Sequence, residues 1–479
     1  MTHTEPTHTE PTHRMLIDGC LVGAESDLLD VTNPATEQIV GRVPDATDAQ
    51  LNAAVESAER AFASWSVSPV EERRAVLRAA AAVVGEHTEE LAALLTAEQG
   101  KPLTDARAEL MAVVAWFEGH AAMDYPAEEV TETATHRVRV RHVPLGVVAG
   151  IVPWNFPVGQ ASWKIAPALL TGNTIVVKPS PYTPLTTLRI GELLADVVPA
   201  GVLNVISGGD SLGPRLAEHP GIRKIAFTGS TATGRKVMAS AARSLTRVTL
   251  ELGGNDAAIV LPDVDVDEVA PRVFWTCFGN SGQICIAAKR VYVHEDVYDA
   301  FAERFAQIAR SVKVGNGLEE GVQLGPIQNR AQYEKVVGLI KETVDSGAKL
   351  LVEGSIPDGP GYFVHPTVVD NPADDSAIVT QEPFGPVVPL LRFRDVDEVV
   401  RRANDSEYGL GGTVWSRDLA AAEELAARIE TGTVWINQEQ MLSPMQQFSG
   451  HKASGLGTEN GVEGALEYTN TQVLSIRKE

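Results

Sequence analysis

From Gly146 onward, short apolar runs alternate with stretches of helical pattern. The runs are GVVAGIVP (146–153), NTIVVKP (173–179), GVLNVISG (201–208), IRKIAFTG (222–229) and VTLELGG (248–254). Apolar strands that recur between helices predict a parallel, doubly wound α/β sheet. A second alternating region begins near Asn255 and runs to about Asn437, with candidate strands AAIVL (257–261), RVYVHE (290–295), VVPLLRF (387–393) and GTVWIN (432–437). Upstream, Leu16 to Gly23 reads as a short strand and turn, and residues 33–36 as a loop before a second strand. Helical three- and four-residue steps then span Thr47 to about Trp65, Val70 to Glu86 and Thr88 to Gln99, and Gly100-Lys101-Pro102 marks a stop. Arg137 to Val143 alternates Val with mostly Arg, the pattern of a half-buried antiparallel strand. Thr471 to Arg477 is strand-like too, and pairing of the two would make a small third unit.

At 479 residues the chain is long enough for two or three domains. Its 44% hydrophobic and 22% charged residues are those of an ordinary globular enzyme. A net charge of −23 repels phosphate backbones and anionic lipid, so neither nucleic acid nor membrane is expected as a partner. The three cysteines, Cys20, Cys277 and Cys285, contain no CxxC pair, which argues against a disulfide framework or a zinc site and for a reducing, cytoplasmic location. No apolar stretch has the length of a membrane span or signal peptide. The opening repeat THTEPTHTEPTHR places His3, His8 and His13 five residues apart. That spacing suits no regular helical face, and residues 1–14 are expected to be a solvated tail rather than a metal site.

Five places could carry chemistry. Cys285, in GNSGQIC (279–285), is by default a small buried hydrophobe, because free cysteines usually pack rather than react; on a glycine-punctuated loop near a carboxylate it could also be a nucleophile. Asn155, between two prolines at a strand end, could offer an amide to an oxyanion or cap the next helix. Lys178 ends a strand, where nucleotides bind in open α/β sheets. Gly229, Ser230 and Gly234 lie where a strand runs into a helix and a pyrophosphate could sit, although a plain N-cap by Ser230 or Thr231 would look the same. Glu251, before Gly253 and Gly254, could be a general base or a salt-bridged structural residue.

Taken in order, PWNFP, KPS, FTGST with Gly234, ELGG and GQIC, with EPFGP behind them, strongly resemble the aldehyde dehydrogenase superfamily from about Leu16 to Arg477. The resemblance implies a Rossmann-like dinucleotide domain (15–124 and 145–252), an α/β catalytic domain (253–437), oligomerisation strands (125–144 and 465–479) and a segment, 438–464, returning to the substrate entrance. It implies Cys285 as nucleophile, the Asn155 amide as oxyanion donor, Glu251 as activator of the hydrolytic water and Glu459 as a second acid for proton relay. On the cofactor side it implies Trp154, Lys178, Ser180, Pro181, Gly229, Ser230, Gly234, Glu382 and Phe384, with no metal. A homodimer or homotetramer is implied as well.

Two departures bear on specificity. NAD-preferring members commonly carry Glu three residues after the lysine, where this chain has Pro181; NAD is the expected cofactor, with NADP admissible because that repulsion is gone. The late motif PFGGxKxSG appears here as residues 447–455 with Gln447 and Ser449 in place of Pro and Gly. By the same resemblance the substrate pocket is walled by Phe156, Gln160, Trp163, Ile284, Ile286 and Phe448, which suits a medium-sized uncharged aldehyde. No arginine stands at these positions to bind a carboxylate. The rival readings are a CoA-acylating enzyme, a cysteine hydrolase, and a catalytically silent family member. Glu251 argues against the first, the absence of a histidine motif against the second, and the presence of Asn155, Glu251 and Cys285 together against the third.

Overall fold

The computed structural model describes residues 12–478. Its first sheet has eight strands, and five parallel ones form its centre in the spatial order Leu203–Val205, Thr174–Lys178, Val147–Ile151, Ile222–Thr228, Arg247–Glu251. Chain order reverses at Val147–Ile151, which makes the gap between it and Ile222–Thr228 a topological switch point, the place where open α/β sheets take ligands. These strands are buried on both faces by helices, as their unbroken Val and Ile runs require. Met15–Ile17 and Cys20–Val22 extend one edge antiparallel, and Gly455–Leu456 pairs with Arg247–Glu251 on the other.

The second sheet has seven strands: Leu350–Val352 antiparallel at one edge, then Thr367–Asp370, Val387–Phe393, Ala288–His294, Asp256–Val260, Gly411–Trp415 and Thr433–Ile436, all parallel. Arg247–Glu251 leads through only four residues into Asp256–Val260. The carboxyl ends of the first sheet's strands therefore face the amino ends of the second sheet's strands. The six motifs of the resemblance lie at those strand ends, with PWNFP, KPS, FTGST and ELGG at the carboxyl ends of the first sheet and GQIC and EPFGP before the amino ends of the second.

The predicted helices are present as Asp48–Trp65, Val70–Glu86 and Thr88–Gln99. The first is closed by a capping box in which Thr47 and Gln50 exchange side-chain and backbone bonds. No helix is predicted between Gly100 and Arg137, yet Leu103–Ala122 is a helix of 20 residues. Its apolar stripe of Ala106, Leu110, Val113, Phe117 and Ala121 is interrupted by Glu109 and His120, which are buried with it, and that mixture hides the period. Among the other strands that were not anticipated are Thr367–Asp370 and Gly411–Trp415.

Thr469–Arg477 pairs antiparallel with His136–Pro144 over nine residues, Val473 against Val140, and Glu128–Glu132 adds a third strand. The expected tail boundary at residue 14 moves back: Thr12 N–H donates to the Arg42 carbonyl, the His13 ring lies 3.1 Å from a Glu192 oxygen, and Arg14 N–H donates to Glu192 at 2.8 Å. His3 and His8 lie outside the described residues. Among those described, no helix is long and apolar enough to cross a membrane, and no group of His, Cys, Asp and Glu could hold a metal ion.

Candidate active site

The loop that carries Cys285 is built from unusual backbone. Asn280, Ser281 and Gly282 are three consecutive residues in the left-handed region, with φ of 49°, 57° and 73°. Non-glycine residues pay for this conformation unless their surroundings impose it. Here they do: Ser281 Oγ donates to the Gly325 carbonyl (2.7 Å), Gln283 Nε2 to the Asn280 carbonyl (2.9 Å), and Gln328 N–H to Gln283 Oε1 (2.8 Å). Gly282 must be glycine for a second reason, since a Cβ there would run into the Gly385 carbonyl of the EPFGP turn. Downstream, Lys289 Nζ donates to the carbonyls of Ile284 (2.8 Å) and Cys285 (2.6 Å) and pairs with Glu382 at 3.3 Å. Burial pushes the half-buried Cys285 thiol up to about 12, Lys289 opposing and Glu251, Glu382 and Asp256 adding to the rise.

Asn155 does not cap the following helix. Its Nδ2 donates to the Gln283 carbonyl at 2.9 Å, two residues before the sulfur, which leaves its second amide hydrogen uncommitted by that bond. Among the described residues Glu251 has no salt-bridge partner. It is 3% exposed, and among the described residues neither of its oxygens has a hydrogen-bond partner. Burial and the neighbouring Glu459 push its carboxyl well above the usual carboxylate range, with Lys164 opposing. Lys164 is the hub of this group: its Nζ reaches Glu459 (2.9 Å), Thr228 Oγ1 (2.7 Å) and, more loosely, Gln160 Oε1 (3.4 Å). Sheet register puts Thr228 directly opposite Glu251. Glu459 is delivered from the far end of the chain by reciprocal backbone bonds with Phe448, both at 2.8 Å.

The residues expected to hold a dinucleotide line the same seam. Lys178 is level with Ile151 in the sheet register, is buried, and donates to the Pro179 carbonyl. Burial lowers its ammonium to about 8, against the charges of Asp210 and Asp45. Ser180 Oγ accepts from Tyr182 N–H at the turn that Pro181 occupies. Ser230 does cap helix Thr231–Ala242, accepting from Thr233 N–H, but the helix start is exposed behind Gly229, and the buried Gly234 packs closely on Leu252. An open N-terminus on a 12-residue helix beside a switch point fits a pyrophosphate. Glu382 Oε1 accepts from Gly254 N–H at 3.1 Å, and Trp154 meets Phe384 edge to face at 5.3 Å across the two sheets. These donors, carboxylates and rings fit a nicotinamide dinucleotide.

Around Cys285 and Ile284 lies an apolar cluster of Trp116, Trp163, Ile286, Leu410, Trp435, Phe448 and Leu442. Trp116 stacks on Trp163 with centroids 5.2 Å apart and planes 7° from parallel, and Phe448 meets Trp163 at 5.8 Å. Two expected wall residues stand apart from this cluster. Phe156 lies beneath the Lys101 ammonium at 3.8 Å, and Gln160 is engaged with Thr228 and Lys164. The segment 439–447 is tied down by Gln440 to the Ile286 carbonyl, Trp435 to the Met441 carbonyl and Arg272 to Glu439.

Lys164, Lys289 and Trp116 escaped the sequence reading. Lys164 and Trp116 are internal residues of helices, at positions that ordinary core packing also fills. Lys289 stands only four residues from Cys285, which was a signal.

The aldehyde dehydrogenase family profile matches residues 21–474. Phenylacetaldehyde dehydrogenase of Pseudomonas fluorescens is 42% identical over 97% of this chain and 95% of its own length. Lactaldehyde dehydrogenase of Escherichia coli superposes with a TM-score of 0.93 at 34% identity, covering 97% of this chain and 99% of that one. Betaine aldehyde dehydrogenase of Staphylococcus aureus, solved with NAD+, gives 0.94 at 34% identity and covers 97% of each. A profile match over most of the chain and relatives of this identity and coverage place this chain in the aldehyde dehydrogenase family, as an NAD(P)-dependent oxidoreductase acting on aldehydes.

Proposed function

We propose that the chain oxidises an uncharged, aromatic or aliphatic aldehyde to its carboxylic acid through a thioester on Cys285 that water hydrolyses. The aromatic cluster packed against the sulfur carries the substrate class: Trp116, Trp163 and Phe448 offer faces and edges to an apolar chain or ring, and Arg272 is engaged with Glu439. A phenylacetaldehyde-acting relative at 42% identity agrees with that class.

In the first step the Cys285 thiol releases its proton to solvent water, Sγ bonds to the aldehyde carbon as the carbonyl π electrons move to oxygen, and the Asn155 amide and Cys285 backbone N–H stabilise that oxyanion. Glu382 and Phe384 would hold a nicotinamide, which when bound would supply the acceptor for the hydride that leaves the substrate carbon as the oxyanion collapses, and a positive charge that favours the thiolate. Collapse of the oxyanion then leaves the acyl group on sulfur. Glu251 takes a proton from water, hydroxide adds to the thioester carbon, the C–S bond breaks, and the acid leaves. Glu459 and Lys164 lie behind Glu251 to pass the proton on.

The assay that tests this compares phenylacetaldehyde, benzaldehyde and hexanal with succinate semialdehyde, with and without CoA. We expect kcat/KM for the best uncharged aldehyde to exceed that for the semialdehyde by about a hundredfold, because its carboxylate would enter an apolar site unpaired, and CoA to be dispensable. An absolute CoA requirement would overturn hydrolysis by water.

NAD is the proposed cofactor despite Pro181, because Asp210 and Asp45 place negative charge at Lys178 where a 2′-phosphate would come near. The expected preference in kcat/KM is about tenfold or more for NAD, the equivalent of ~1.4 kcal/mol, and Asp210→Ser should narrow it. Equal use of both cofactors by the unmodified protein would remove this role from Asp210 and Asp45. Val130, Val473 and Ile476 are exposed on the three-stranded sheet and support a homodimer or homotetramer, which light scattering would count. Sparse cysteines fit a cytoplasmic setting, and the net charge of −23 fits a small-molecule substrate rather than nucleic acid.

A further inference from the structure

We infer that the buried Lys101–Glu109 ion pair is the positioning element for the Asn155 amide, a role that rests on the oxyanion assignment proposed above. Lys101 comes from the turn after helix Thr88–Gln99, and Glu109 from helix Leu103–Ala122; their side chains are 0% and 2% exposed and their charged atoms 2.5 Å apart. Together they hold both sides of the turn that bears Asn155. On one side, Lys101 Nζ donates to the Asn155 backbone carbonyl at 3.0 Å and lies 3.8 Å over the Phe156 ring, while Asn280 Nδ2 donates to the same carbonyl at 3.2 Å. On the other, Glu109 Oε1 accepts from Val158 N–H (3.2 Å) and Gly159 N–H (3.0 Å).

Those two N–H groups open helix Pro157–Leu170, whose N-cap residue Phe156 makes no side-chain cap and whose first residue is proline. Glu109 therefore caps this helix from another helix. The Asn155 carbonyl, fixed by one ammonium and one amide, and the helix start just beyond it, fixed by a carboxylate, hold the Asn155 backbone in place, and from that fixed backbone the bond of its Nδ2 to the Gln283 carbonyl sets the orientation of the amide. The lysine cannot drift, because its loop is wedged against the second sheet's flank: Leu103 N–H donates to the Gly317 carbonyl (3.0 Å), and a Cβ on Gly317 or Gly325 would strike backbone of residues 100–101. Stabilising a transition-state charge depends on placement to a fraction of an ångström, and a misplacement of about 1 Å costs around a hundredfold in rate.

The test separates orientation from mere support by using two reactions of Cys285 in the cofactor-free protein. Acylation by p-nitrophenyl acetate passes through an oxyanion; alkylation by iodoacetamide does not. In Glu109→Gln and Lys101→Met the p-nitrophenolate burst should slow by about tenfold to a hundredfold, with alkylation within about twofold of the unmodified protein. In an Asn155→Ala background neither substitution should slow acylation further. Glu109→Gln keeps the side-chain volume and an acceptor oxygen, so it reads the effect if Lys101→Met does not fold. An unchanged burst, an equal fall in both reactions, or a fully additive loss with Asn155→Ala would overturn the inference. Unchanged acylation in Asn155→Ala alone would instead overturn the oxyanion assignment, and the inference with it; slow acylation in Asn155→Ala beside normal rates in both pair variants would overturn the inference only.

Discussion

Cys285→Ala should lose dehydrogenase turnover by at least about 10⁴ while binding NAD with an affinity within about twofold of the unmodified protein, because removing a covalent nucleophile removes the pathway and not merely part of a barrier. No other thiol can substitute. Cys277, eight residues earlier, is buried in a core of Phe274, Phe278 and Phe305, where burial pushes its thiol to about 12, and Cys20 is exposed on an edge strand of the first sheet. Burial pushes Cys285 up to the same value, but its surroundings differ in kind: Lys289 grips its carbonyl, the Asn155 amide is bonded two residues away, and the residue packs against an apolar, mostly aromatic cluster. Dehydrogenase assay and NAD titration of the purified variant settle the matter. Full activity would refute the nucleophile assignment.

Glu251→Gln should lower steady-state turnover by about 10²–10⁴, the range general bases supply, while one equivalent of NADH per site still appears as a burst. The reason is timing. Water is activated after hydride has left, so the acyl-enzyme should accumulate in the variant. The pH profile adds a second reading. A base works only when ionised, and burial with Glu459 nearby raises the Glu251 carboxyl. Acid release should therefore rise with pH through a midpoint above the usual carboxylate range, and Glu251→Gln should erase that limb. Rapid mixing and quenched time courses supply both numbers. Loss of the burst would mean that Glu251 also removes the thiol proton.

Much of this was legible along the chain because each motif sits at a local transition. PWNF, KPS, FTGS and ELGG all follow apolar strands, and strand-to-turn transitions leave local signatures of Gly, Pro and hydroxyl residues. Cys285 could be read for the same reason, on a loop marked by Gly279 and Gly282. Lys164 and Trp116 could not: one is an interior residue of helix Pro157–Leu170, the other of Leu103–Ala122, and nothing nearby in sequence tells a buried functional lysine or tryptophan from a packing one. Glu109 was concealed further, since a carboxylate inside an apolar stripe looks like the end of the stripe.

The chain by itself determined the α/β class, the strands of both sheets that carry motifs, and the residue types available for thiol, amide and carboxylate chemistry, because all of these depend on periodicity and on neighbours within a few positions. Tertiary structure alone decided which of them meet. Lys164 reaches Glu459 across 295 positions, Trp116 reaches Asn460 across 344, and Asn155 is fastened to Gln283 across 128. Contacts at such separations are set by how two sheets abut end to end, and no local preference encodes that.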